Sequence, residues 1–456
     1  MRLMRVYQIG VLLCGLLCPV VALSQVFSVT PSITVGERYD NNVFQSEDNE
    51  KDDFITVVTP GIALRYVPSR DTELNFDYQP SWEFYADETD ENNLSHRLGL
   101  SLKAALSRRL QLTLSDDLRI TDEPGDRIRE VILEDGTRDS SDEGRERTIS
   151  NTAAGSLRLL LASRSSIGLL FKNRVEYVDD PDEVDEVLYT VGSEFAYLTH
   201  IQRGNRVLLG FTTDFFYRDI NADPNADPNA MPEEADDFLV HYASVGYEHH
   251  FSPTLTTTAR VGYYFTSGLD REDGDQERRP GGSIDLTKLL RTGSASIGFE
   301  NRFTSGGGDG GEVVANRVVT QITTNLSPKI MASLGANATR LDFQGQVDEG
   351  DDRWFFTIRP KLSYQALRTL RLSAFYIFAM SKFDEATDPN RTQPDRRDHR
   401  FGAESRLTLR KGLSVALKYE YRTRSFENVS MNSREDDEFT RHRVFLSVTY
   451  GPTFRF

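Results

Sequence analysis

Residues 413–424 read LSVALKYEYRTR, and this dozen decides the fold class. Leu413, Val415, Leu417, Tyr419 and Tyr421 share one parity, while Ser414, Lys418, Glu420, Arg422 and Arg424 share the other. A period of two marks a strand with one apolar and one polar face, because successive side chains leave opposite sides of the pleat. The pattern recurs upstream. Trp354, Phe356, Ile358, Leu362 and Tyr364 oppose Arg353, Thr357, Arg359, Lys361 and Ser363. Leu74, Phe76, Tyr78, Trp82 and Phe84 oppose Glu73, Asn75, Asp77, Gln79 and Glu83. Ile167, Leu169, Phe171, Val175 and Tyr177 oppose Ser166, Lys172, Arg174 and Glu176. Residues 313–326 alternate poorly.

Connections between these stretches alternate in length. Short ones fall at 68–71, 107–109, 163–165, 202–205, 252–254, 291–293, 327–329, 368–369 and 411–412. Long ones, rich in Asp, Asn, Gly and Pro, centre on Glu47, Asp90, Asp135, Asp182, Asp227, Asp273, Gly308, Gly345, Asp388 and Asn432. Each long loop closes one hairpin, which implies about twenty strands, within a range of roughly 18–22. Long loops on one side and tight turns on the other are the arrangement of a transmembrane antiparallel up-and-down β-barrel, with turns in the periplasm and loops outside. A propeller of kelch or WD type has repeats of similar length, but each packs four short strands and carries signatures missing here.

The N-terminus indicates a secreted chain. Arg2 and Arg5 precede an apolar run over residues 9–23, and Ala22-Leu23-Ser24 resembles a leader-peptidase site. A cleaved leader over 1–24 and a barrel over 25–456 follow as the expected organisation. Cys14 and Cys18 are the only cysteines and lie in the leader. Leu13 and Leu17 precede them, where a lipoprotein would carry a small residue, so neither a lipid anchor nor a disulfide is expected. No later apolar run approaches the ~18 residues of a spanning helix. The net charge of -17 and mean hydropathy of -0.47 fit a barrel, whose strands mix lipid-facing and water-facing residues.

Aromatic residues gather towards strand ends, at Tyr66, Phe84, Tyr189, Tyr263, Trp354 and Tyr419 among others, as in the interfacial girdles of membrane barrels. At the C-terminus Val444, Leu446, Val448, Tyr450, Phe454 and Phe456 share one parity, and Phe456 ends the chain. Tyr450, Phe454 and Phe456 resemble the terminal signature by which outer-membrane barrels engage their assembly machinery. Pro452 interrupts the strand, since it brings no ladder donor. Near the start, PSITV (31–35), YDNN (39–42), PGIALRY (60–66) and LNFDY (74–78) resemble the outer-membrane β-barrel porin superfamily associated with exopolysaccharide and PEP-CTERM (exosortase) loci. The resemblance covers roughly the first eighty residues after the leader. It implies an outer-membrane protein of a Gram-negative bacterium that serves export of a surface polysaccharide, with periplasmic export proteins as partners.

The polar parity becomes basic in the C-terminal third, where Arg353, Arg359, Lys361, Arg406, Arg410, Lys418, Arg422 and Arg424 form a candidate lumen wall. Glu73, Asp77 and Glu83 occupy the same parity in the early strands. A barrel of this size is too wide for side chains to fill, and a basic wall concentrates anions. A passage for an anionic polymer is one reading, and cross-strand neutralisation of the same charges is the other. Most acidic residues sit in the loops, where solubility explains them, with divalent-cation bridging to lipopolysaccharide as the alternative. The seven histidines are scattered, and no zinc-type spacing, P-loop or nucleophile elbow occurs. No enzyme, metal, cofactor or nucleic-acid partner is therefore expected. An export channel is the leading expectation, followed by a general diffusion porin or a non-conducting structural or adhesive barrel.

Overall fold

The computed structural model describes residues 26–46, 50–121, 147–178, 184–198, 205–220, 238–268, 278–305, 312–344, 353–383, 395–427 and 438–456. The leader expected over 1–24 and most of the long loops lie outside them, as does the greater part of the expected turn at 202–205.

Twenty long strands carry the fold. The first ten are β1 (Val26–Asp40), β2 (Asp53–Ser69), β3 (Thr72–Tyr85), β4 (Asn93–Ala105), β5 (Leu110–Thr121), β6 (Thr148–Ala162), β7 (Ser165–Val178), β8 (Val184–Leu198), β9 (Arg206–Ile220) and β10 (Phe238–Ser252). The second ten are β11 (Leu255–Gly268), β12 (Arg278–Leu290), β13 (Gly293–Ser305), β14 (Glu312–Ser327), β15 (Ile330–Gln344), β16 (Arg353–Gln365), β17 (Leu370–Phe383), β18 (Asp395–Arg410), β19 (Leu413–Glu427) and β20 (Phe439–Tyr450). Each pairs antiparallel with its successor, and β20 pairs antiparallel with β1, so the sheet closes on itself. Antiparallel closure needs an even strand number. Closure also removes both sheet edges, as a backbone in hydrocarbon requires. A short β21 (Phe454–Arg455) pairs with β1 below β20. The ladder breaks across residues 451–453, where Pro452 stands.

The turns are as tight as their sequences suggest. Lys411-Gly412 reverses the chain with Gly412 at φ +81°, a left-handed conformation that glycine adopts without steric penalty. Within the wall, glycines and aromatic rings interlock. Phe375 stands opposite Gly402, and a Cβ on Gly402 would fall 2.2 Å from that ring. The ring lies over bare backbone, which is how a strand glycine is compensated by an aromatic neighbour.

Hydrogen-bonding across several strands identifies the inner face. Arg260 on β11 donates to Glu194 on β8 at 2.9 Å, over two intervening strands, which only the concave side allows. The ladder register then assigns the other residues to a face. On the outer face Val261 is 71% exposed and Leu446 51%, an apolar cylinder of the kind that lipid covers. Tyr39 and Phe54 pack at 5.1 Å near the long-loop rim. Phe27, Tyr66 and Phe456 gather near the turn rim. The poor alternation at 313–326 has a physical cause, because Val313 and Ala315 on the inner parity pack with Leu341 and Phe355. There the inner surface is itself apolar, so the two faces look alike in sequence.

Candidate functional site

The lumen wall from β14 to β20 collects the charged residues that the sequence singles out. Arg353, Arg359 and Lys361 stand on β16, Arg406 and Arg410 on β18, and Lys418, Arg422 and Arg424 on β19. Arg317, Arg359, Lys361, Arg400, Lys418 and Arg422 line one cavity of about 650 Å³. Asp398 and Glu404 are the two carboxylates on it, so the cavity is cationic by composition.

The wall is ordered by ion pairs. Arg422, 5% exposed, grips Asp398 through Nε at 3.0 Å and Nη2 at 2.7 Å. Its guanidinium lies 5.1 Å from the Phe439 ring, and that of Arg424 lies 4.9 Å from the same ring. Arg400 bonds Glu420 at 2.8 Å, and Lys418 reaches Glu420 at 3.1 Å. Arg406 pairs with Glu404 at 2.9 Å. Arg353 is buried at the long-loop end of β16. Arg410 stands at the turn rim, past a register shift between Thr408 and Arg410, rather than along the wall. Lys361 is exposed and has no ion pair among the described residues. Across the seam, on β1 to β3, Glu73 is paired with Arg65 and Glu83 with Arg38, both at 2.8 Å. Cross-strand neutralisation thus operates through much of the lumen, and the lower part of the β16–β19 wall keeps the cationic excess.

A second feature is the first loop, which turns into the barrel. Asp40, fully buried, accepts from Arg441 Nε at 2.8 Å and from Arg443 Nε at 2.9 Å, and Arg441 Nη2 adds a further bond. Asn42 is also fully buried and donates to the carbonyl of Ser46 at 2.7 Å and that of Thr440 at 3.4 Å. Gln45 sits in the left-handed region at φ 57°, and its Oε1 accepts from Arg422 Nη1 at 2.8 Å. A non-glycine residue held there carries strain that its surroundings must offset. Val43 is buried with Ile55, Val57 and Tyr85, with Phe44 and Phe445 packed against them. The loop therefore folds over the inner face at the long-loop rim, with Asn42 and Gln45 hydrogen-bonded and Val43 and Phe44 packed against the wall. Asp53, the first residue of β2, accepts the backbone N–H groups of Ala86, Asp87 and Glu88 and ties down the next loop.

Sequence reading missed Asp40, Gln45, Asp398 and Arg441. Asp398 shares the parity of Arg400 and Arg406, so extending that strand upstream would have found it. The Val43-Phe44 pair inside a polar loop was the signal for the inward turn.

The comparisons match this geometry. The ferric enterobactin receptor PfeA from Pseudomonas aeruginosa, as an Arg/Gln double mutant, superposes with a TM-score of 0.52 at 9% identity, covering 93% of this chain and 80% of that one. A single Gln mutant of the same receptor, in complex with enterobactin, gives 0.51 at 10% identity, covering 93% and 81%. The fold is that of an outer-membrane β-barrel. A family model described as "Putative beta-barrel porin 2" matches residues 26–139, about a quarter of the chain, on the strands that carry the N-terminal resemblance. No curated protein matches the sequence. The outer-membrane setting agrees with the apolar outer face and the aromatic rims.

Proposed function

We propose that this barrel is an outer-membrane channel that exports an anionic surface polysaccharide, such as a uronate- or pyruvate-bearing chain. One observation carries the reading: six cations and two carboxylates line the cavity between β14 and β19. Charged linings of one sign raise the local concentration of the opposite ion. Gln321, Asn337, Ser333 and Ser373 stand among those cations, and their amides and hydroxyls both donate and accept hydrogen bonds, as sugar hydroxyls require. In the same proposal the leader over 1–24 directs secretion, and Tyr450, Phe454 and Phe456 present the outward-facing terminal strand to the barrel assembly machinery. Periplasmic export proteins hand over the polymer, and lipopolysaccharide surrounds the rim.

Reversal potentials across a planar bilayer under a salt gradient test the reading. The wild-type channel is expected to prefer anions, and the Arg359→Gln/Lys361→Gln variant to lose that preference. A cation-selective wild type would overturn the proposal. A second reading, a non-conducting barrel that displays its acidic loops, draws support from the inward-turned first loop. A wild type that stays closed in the bilayer, and opens only when that loop is released, favours it.

A further inference from the structure

The outer face of a membrane barrel meets hydrocarbon, and a polar side chain there needs a partner. Asp116 on β5 breaks the rule for this chain. In the ladder it stands opposite Leu100 on β4 and Ala153 on β6, all on the outer parity, whereas its neighbours Ser115 and Asp117 face the lumen. Leu110, Leu112 and Leu114 lie below it on the same face, and Leu118 and Ile120 above, so its depth is that of the apolar band. Asn151 Nδ2 donates to Asp116 Oδ1 at 2.8 Å, its one hydrogen bond among the described residues, which leaves Oδ2 unpartnered there. In the same register row Ala153 stands opposite Asn173 on β7. The amide of Asn173 also points outward, and it makes no side-chain hydrogen bond among the described residues. Ala153 and Gly155 leave the wall flat between these groups.

We propose that the outer face of β5–β7 is an interface with a second copy of this chain. The patch carries an acceptor on one flank, at Asp116, and a donor on the other, at Asn173, with small residues between them. A two-fold axis along the membrane normal beside Ala153 turns the carboxyl flank of one copy towards the amide flank of the other. A closed pair then meets the same need twice, which is the self-complementarity of an isologous contact. The smooth strip around Ala153 and Gly155 lets the two walls approach closely.

The experiment uses the full chain in its own membrane. The cysteines at 14 and 18 lie in the leader segment, so Ala153→Cys places a thiol at the centre of the patch, and Val261→Cys places one on the outer face of β11. A short thiol-to-thiol reagent is expected to join Ala153→Cys barrels into dimers and to leave Val261→Cys barrels single. In lipid nanodiscs, mass photometry is expected to show wild-type dimers. The Asp116→Leu/Asn173→Leu variant should weaken them at least tenfold in dissociation constant while keeping the heat-modifiable migration of a folded barrel. Monomeric wild type in nanodiscs, equal cross-linking at both positions, or an undiminished dimer in the double variant would each overturn the proposal.

Discussion

Arg422 holds three partners at once: the Asp398 carboxylate, the Gln45 amide oxygen and the face of Phe439. Two of them are charged or polar groups that are themselves buried. Removing one member of a buried pair leaves the other ion uncompensated, at a cost of about 3–5 kcal/mol. Arg422→Ala is therefore expected to lower the unfolding free energy of the detergent-solubilised barrel towards the lower end of that range, because Arg424 still lies 3.7 Å from Asp398. The double variant Arg422→Met/Asp398→Leu should recover most of the loss, since replacing a buried pair with apolar residues is often neutral. Urea titrations followed by tryptophan fluorescence would measure both. The basic character of Arg422 and Lys418 was legible in the sequence, because parity alone places them on the polar face. The partner of Lys418, Glu420, stands two residues along on the same parity, but the partner of Arg422 was not legible. Asp398 meets Arg422 through strand register, and register is a property of the folded pair of strands rather than of either strand alone.

At the scale of the element, strand number and turn positions were legible because alternation and turn chemistry are local. β14 shows where that reading fails. Its inner face carries Val313 and Ala315 against Leu341 and Phe355, so hydrophobicity no longer separates the faces. The glycine in β18 is explained only by its neighbour. Gly402→Val would drive a branched side chain into the Phe375 ring, and overpacking of this kind costs typically ~1–3 kcal/mol. The heat-modifiability midpoint should fall accordingly, and the Gly402→Val/Phe375→Ala double variant should regain part of it. The first loop makes a further test. Gln45→Ala with Val43→Asp removes the hydrogen bond to Arg422 and the apolar anchor together. Single-channel conductance is expected to rise while the barrel stays folded, and an unchanged conductance would show that the loop does not narrow the path.

Over the whole molecule, charge is sorted by place: carboxylates crowd the long loops, and the cationic excess gathers on one arc of the lumen. Such a field acts across water and is screened by salt, with a Debye length of about 10 Å at 0.1 M and 3 Å at 1 M. The anion preference expected of the wild type should therefore shrink as both baths are raised from 0.1 to 1 M at a fixed gradient, a titration from ~10 to ~3 Å of reach. A preference that ignores ionic strength would point to size selection instead. The sum of charge was visible in the composition and its one-sided placement in the basic polar parity of the C-terminal strands, but the ion pairs that offset part of it depend on strand register.

The inward loop begins at Asn41, next to the first strand, yet the hydrogen bonds that hold it to Thr440 and Arg422 come from the last two long strands. A half-built wall offers only the apolar part of its mooring, Val43 against Ile55, Val57 and Tyr85. The loop's polar mooring therefore forms only once the seam between first and last strands is sewn, so a finished barrel carries a contact that an unfinished one lacks.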